Sequence, residues 1–207
     1  MTSIAAKRIQ KELAELLRSD EVAQNQIEIR PSGDDLMRLE GLIKGPPETP
    51  YSGAKFNLEI IIPTNYPFVP PKVKFLTRIW HPNISSATGV ICLDVLKDQW
   101  AAAMSLRTVL LSIQALLASP EPDDPQDAVV ATQFKSSPEA FVRTAQYWAA
   151  VYADGPFRDA GCDSLVERLV LMGFDEPEVD YTDGPDFESR SLDTMRVMQQ
   201  AMVSQFG

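Results

Sequence analysis

The chain has 207 residues, a formal net charge of −10 and 44% hydrophobic residues, enough apolar content for one ordinary domain with a smaller one beside it. Acidity of that size argues against nucleic acid as the main partner, and no apolar run reaches membrane-spanning length. Two widely separated cysteines and no secretory leader pattern set the expectation of a reducing, intracellular setting, cytoplasmic or also nuclear.

The charge is uneven: residues 160–207 carry ten acids and three bases, a net of −7, which leaves −3 for the first 159. Thr2 or Ser3 can cap an opening helix in which Ile9, Leu13, Leu16 and Leu17 recur on one stripe. Lys7, Lys11 and Arg18 fall on the opposite side, as a solvated face or a docking surface. Strand character follows at 27–30, 36–44, 55–62 and 72–76. Phe56, Leu58 and Ile60 alternate with Asn57 and Glu59, as in a sheet covered on one face. Gly45-Pro46-Pro47 and Tyr51-Ser52-Gly53 punctuate the turns, so the economical arrangement is a four-stranded antiparallel meander. The run from Tyr66 to Pro71 is too rich in proline for a central strand. Phe68 lies within it, either packed on its own prolines or free to anchor a partner.

Residues 80–100 have neither helical nor strand periodicity and hold His81, the single histidine of the chain, and Cys92. Pro82 restricts His81 before it and fixes its own φ, so that Asn83 projects from a stiff turn as an amide suited to oxyanion charge. Gly89, Val90 and Ile91 lead into Cys92, and Leu93 and Asp94 follow, a small residue and aliphatic neighbours that hold the thiol against a core. Zinc is excluded as the use of this cysteine, because Cys92, Cys162 and His81 cannot supply about four ligands at short spacing. A cysteine hydrolase needs an imidazole base, and His81 reads instead as a structural, hydrogen-bonded histidine. Thioester exchange, in which the cysteine takes an acyl group from another thiol and holds it for an amine, needs no histidine.

Ser105 caps a second helix with Leu106, Val109, Leu110, Ile113, Leu116 and Leu117 on its buried face. Asp123 and Asp124 stand in the proline-rich turn after it, for turn and cap duty or, at Asp124, to orient an attacking amine and take up its proton. A helix over 127–134 and another opened by Ser137-Pro138-Glu139, with Phe141, Ala145, Trp148 and Tyr152 inward, close the first domain. Residues 154–161 read as a linker.

His81-Pro82-Asn83, Gly89-Val90-Ile91-Cys92-Leu93-Asp94, Gln99-Trp100 and Tyr66-Pro67-Phe68-Val69-Pro70-Pro71-Lys72-Val73 together resemble the ubiquitin-conjugating enzymes over residues 4–153. The resemblance implies an α+β fold: an N-terminal helix, a four-stranded antiparallel meander and C-terminal helices, spanning 1–153. It implies Cys92 as the thioester-forming residue, Asn83 as the amide supporting the loop or the oxyanion, and Asp124 as the acid near the incoming lysine. His81, Pro82, Leu93 and Asp94 would support the active-site loop. Lys7 and Lys11 would meet the activating enzyme, and Pro67, Phe68 and Ala102 would face ubiquitin ligases, although the proline common near the alanine run is missing. Partners would be ubiquitin, the activating enzyme, ligases and protein substrates. No bound cofactor or metal is implied, ATP being consumed by the activating enzyme. A carrier of another ubiquitin-like modifier would keep every one of these features, whereas a non-catalytic ubiquitin-binding scaffold would usually lack the cysteine.

Residues 162–207 resemble a small all-α ubiquitin-associated (UBA) domain through a helix from Ser164 followed by Met172-Gly173-Phe174. Those residues would make an apolar patch for ubiquitin or fill a mini-core. The middle of this unit diverges, because 175–188 carries seven acids, no base and two prolines where a compact helix is expected. Cys162 is read as non-catalytic. Conjugating enzymes with such a domain build polyubiquitin chains, so chain synthesis is the implied output.

Overall fold

The computed structural model describes residues 4–19 and 24–156. The UBA-like unit, with Cys162, Met172, Gly173 and Phe174, lies outside the described residues, as do Thr2 and Ser3 and most of the linker. Helix α1 (Ile4–Leu16) precedes strands β1 (Ile27–Ser32), β2 (Asp35–Lys44), β3 (Lys55–Ile61) and β4 (Lys72–Phe75). These pair in the order β1-β2-β3-β4, all antiparallel, the meander that the alternating pattern predicts. A 3-10 turn at Asp94–Leu96 follows, then α2 (Leu106–Ala118), α3 (Ala128–Ser136) and α4 (Pro138–Tyr152).

On β3, Phe56, Leu58 and Ile60 are sealed from solvent while Lys55 and Asn57 are exposed, so the period of two sorts the strand into a core face and a wet face. The six apolar residues expected on α2 are all buried with them. A 13-residue helix is marginal alone, and each buried Leu, Ile or Val contributes about 1.5–3 kcal/mol, so packing on the sheet, not propensity, holds α2. Ser105 opens it as expected, its hydroxyl accepting from the Thr108 amide.

Two local expectations are corrected. Leu17 is 80% exposed, whereas Ala5, Ile9, Glu12 and Leu16 are buried. At 100° per residue Leu17 stands about 110° from the centre of that buried stripe, beyond its edge. Ser137 sits at the N-cap of α4, but its side chain makes no capping bond, and Pro138 at the first helical position sets the start instead.

The long loop after β4 is anchored at its root by aromatic groups. Trp80 is 1% exposed, donates from Nε1 to Gln133 on α3 at 2.7 Å and packs on Trp148 of α4 at 5.0 Å between ring centroids. Its carbonyl accepts from the buried Tyr51 hydroxyl at 2.6 Å. An irregular segment therefore leaves a fixed point, and the residues after Trp80 start from a defined place.

Candidate active site

His81 is fully buried. Its Nδ1 accepts from the Asn83 amide at 3.0 Å, and its Nε2 lies 3.0 Å from the Leu116 carbonyl oxygen. The amide can only donate and the carbonyl only accept, so Nε2 carries the proton and Nδ1 is bare. Burial lowers the pKa of the ring to about 4, opposed only by the bond to Leu116. With both nitrogens committed, His81 has no lone pair for a thiol.

This histidine gives an expected pH dependence. Its folded pKa lies below the ordinary value near 6.5, so the unfolded chain binds the extra proton first as pH falls. The contribution is fully present above about pH 6.5 and is lost down to about pH 4, on the order of 3 kcal/mol in all. Urea denaturation across that window should show a steeper acid slope in the parent than in His81→Gln, which keeps only the part due to carboxylates such as Glu40; equal slopes would show that the ring does not stay neutral.

Asn83 departs from the expected projecting amide. Its side chain is turned inward at 2% exposure, with Nδ2 donating to the Glu121 and Asp124 carbonyls at 2.8 and 2.9 Å and Oδ1 accepting from the Glu121 amide at 2.8 Å. Its backbone carbonyl takes the Cys92 amide at 2.8 Å. One residue thus ties the strand of chain carrying the thiol to the turn carrying Asp124. The buried Pro82 adds a second tie, its carbonyl accepting from the Gln126 and Asp127 amides, both at 2.9 Å. Asp127, which caps α3, also takes both the amide and the hydroxyl of Ser86.

Cys92 is half-buried. Its thiol reaches the Asp124 carboxylate at 3.5 Å, and the Lys97 ammonium donates to Sγ at 3.2 Å. Ile91 and the half-buried Leu93 hold the segment to the core, but Val90 is 45% exposed and does not share that duty. Gly89 is required: it has φ of +72°, and a Cβ there would stand 1.9 Å from the Phe75 carbonyl oxygen. Asp94 is exposed and serves its own turn, its carboxylate accepting from the Val95 amide at 2.7 Å and its carbonyl from Lys97 and Gln99.

The proposed partner surfaces are placed unevenly. Phe68 is 73% exposed and Ala102 is exposed, as a docking face requires. Pro67 is buried, which corrects its place among partner-facing residues; its carbonyl accepts from Trp100 Nε1 at 2.8 Å, and the Tyr66 and Trp100 rings lie 5.8 Å apart. Pro67 therefore joins the two loops instead of facing outward. Lys7 and Lys11 are exposed, Lys11 lying 3.8 Å from Glu15.

Two charged residues escaped the sequence reading. Glu12, 3% exposed, accepts from the Tyr66 hydroxyl, from the Leu106 amide at 2.7 Å and from Arg8, which itself donates to the Met104 carbonyl. Its carboxylate clasps α1, the Tyr66–Phe68 loop and the start of α2. A signal existed: position 12 falls on the buried stripe with 5, 9 and 16, and a charge there needs a partner. The second is Lys97, whose approach to Cys92 depends on a turn that carries no periodic mark.

A family model for the ubiquitin-conjugating enzyme matches residues 8–149. The ubiquitin-conjugating enzyme E2-22 kDa of Drosophila melanogaster is 59% identical over 178 residues, covering 86% of this chain and 89% of that protein. The ubiquitin-conjugating enzyme E2 K of Homo sapiens is 58% identical over 179 residues, covering 86% and 90%. Among solved structures, a putative ubiquitin conjugating enzyme from Plasmodium yoelii superposes with a TM-score of 0.70 at 50% identity, over 75% of this chain and 99% of that one. The E2 domain of a Toxoplasma gondii ubiquitin conjugating enzyme gives 0.66 at 50% identity, over 71% and 98%.

Proposed function

The chain belongs to the ubiquitin-conjugating enzymes, and from that premise we propose that Cys92 accepts ubiquitin as a thioester from the activating enzyme and passes it to lysine amines of substrates or of ubiquitin itself. The observation that carries this reading is the half-buried Cys92 thiol with the Asp124 carboxylate 3.5 Å away and no imidazole free to serve it. A hydrolase needs a base that activates water or the thiol at once. A carrier needs the opposite, a thioester that waits for its amine.

When the amine arrives, it attacks the thioester carbon, the bond to Sγ breaks, and the proton lost from nitrogen passes to Asp124 or to water. Asp124 stands beside the sulfur and orients that amine. Lys7 and Lys11 form the docking face for the activating enzyme, and Phe68 with Ala102 forms the face for ligases. ATP is spent by the activating enzyme. The Met172-Gly173-Phe174 motif extends the reading to a UBA-like unit that holds ubiquitin for chain synthesis.

The test is a non-reducing gel of the full chain with ubiquitin, its activating enzyme and ATP. An adduct of one ubiquitin mass that disappears on adding thiol, and ladders of linked ubiquitin on longer incubation, are expected. A folded chain that forms no adduct with ubiquitin but loads with another modifier and its own activating enzyme would overturn the choice of ubiquitin.

A further inference from the structure

Acyl exchange at Cys92 places negative charge at two points, first on the attacking sulfur and then on the oxygen of the tetrahedral intermediate, and each needs a donor held in place. Taking the carrier reading above as given, we propose that Lys97, and not Asn83, supplies that donor.

Asn83 is fully committed. Both hydrogens of its Nδ2 are spent on the Glu121 and Asp124 carbonyls, and its Oδ1 on the Glu121 amide. Turning the amide toward Cys92 would strip three backbone groups of their partner, at about 1–3 kcal/mol for each that is left buried and unpaired. Lys97 is already at the reaction centre, with Nζ 3.2 Å from Sγ. An acyl oxygen lies one bond beyond the carbon attached to sulfur, inside the arc swept by a flexible four-carbon stem.

The local chain explains how a residue five places on returns to the thiol. After the 3-10 turn Asp94–Leu96, the Lys97 and Gln99 amides both donate to the Asp94 carbonyl, at 2.8 and 3.1 Å. Lys97 itself has φ of −133° and ψ of −116°, outside helix and strand, and the chain reverses there. The pKa of Lys97 is raised, first by its bond to the Cys92 sulfur, then by the charges of Cys92, Asp124 and Asp98, against weak desolvation. It therefore stays an ammonium, donating a hydrogen bond without surrendering its proton and without competing as a nucleophile. Asp124 stands 3.5 Å from the same sulfur, so the two groups divide the work: Lys97 faces the charge that develops on sulfur and oxygen, and Asp124 faces the amine.

The step balances. The Cys92 thiolate, its proton gone to solvent, attacks the carbonyl carbon of ubiquitin held on the cysteine of the activating enzyme. A carbon–sulfur bond forms, the carbonyl electron pair moves to oxygen, and collapse expels the activating enzyme's sulfur as thiolate. In the transfer to lysine, the Cys92 sulfur leaves as the anion beside Lys97.

The experiment uses the full chain with Cys162→Ser, which leaves Cys92 as the one thiol. Alkylation by iodoacetamide and discharge of ubiquitin to free lysine are compared for the parent, Lys97→Met and Lys97→Arg. Lys97→Met should slow alkylation about threefold to tenfold and discharge about tenfold, a range kept small because the ammonium is exposed and screened. Lys97→Arg should recover most of both rates, and the differences should shrink near 1 M salt. Parental rates in Lys97→Met, or Lys97→Arg no better than Lys97→Met, would overturn the proposal. A parent that loads no ubiquitin would overturn the carrier reading instead, and the alkylation comparison would still decide the place of Lys97 at the thiol.

Discussion

Cys92→Ala is expected to carry no ubiquitin at all, and Cys92→Ser to carry either none or an adduct that survives thiol. A thiolate is nucleophilic at neutral pH without a base at its side, whereas a hydroxyl needs one. His81, the sole imidazole of the chain, is tied at both nitrogens, so a serine here would find no imidazole to activate it. Any ester it did form would resist exchange with added thiol. Transfer to amines should fall by about a thousandfold or more, since the covalent intermediate itself is lost. Stability should hardly change, within about 0.5 kcal/mol, because the side chain is half-buried and its polar contacts are with the exposed Asp124 and Lys97. Matching urea midpoints with opposite gel results would place the defect in chemistry. A Cys92→Ala chain that still formed a thiol-sensitive adduct would move the carrier role to Cys162.

The elements that were legible in the sequence are those whose energetics are periodic. On α2 the six apolar residues at helical spacing are the six that are buried, and on β3 the alternation of Phe56, Leu58 and Ile60 survives intact. Burial of one face is a property of spacing, and spacing is written in the chain. The site is a different kind of object. Cys92 and Asp124 are 32 residues apart and meet because Asn83 joins their two loops, a connection made by three side-chain bonds with no period behind them. The triplet His81-Pro82-Asn83 suggested a stiff turn with a projecting amide, and the amide faces inward instead, because its partners lie on a loop 38 residues away that local sequence cannot show. Pro67, placed on the ligase face by the family resemblance of its loop, is buried for a like reason, its carbonyl accepting from Trp100 of a loop distant in sequence. Lys97 is the extreme case: five residues past the thiol, it returns only through the backbone of one turn.

Asn83→Ala is expected to be the most damaging substitution outside the thiol, and its effect should be split between stability and transfer. The variant loses three hydrogen bonds to backbone groups of 121–124 and leaves a cavity where a side chain at 2% exposure had been. About 2–4 kcal/mol of stability should go with them, read as a lowered urea midpoint. The backbone bond from Cys92 to the Asn83 carbonyl does not depend on the side chain, so loading of ubiquitin on Cys92 should largely persist in the folded fraction. Transfer to free lysine should drop about a hundredfold, because Asp124 is no longer held beside the sulfur, and displacements near 1 Å cost that much. Asn83→Asp should not rescue it, since a carboxylate would face the Glu121 and Asp124 carbonyls with no hydrogen to give either. The decisive comparison is the double variant Asn83→Ala with Asp124→Ala. If Asn83 acts by placing Asp124, the pair should transfer no more slowly than the slower single variant, because both remove the same carboxylate from the site. Losses that multiply would mean that Asn83 meets the oxyanion directly, which requires its amide to leave the three partners it holds.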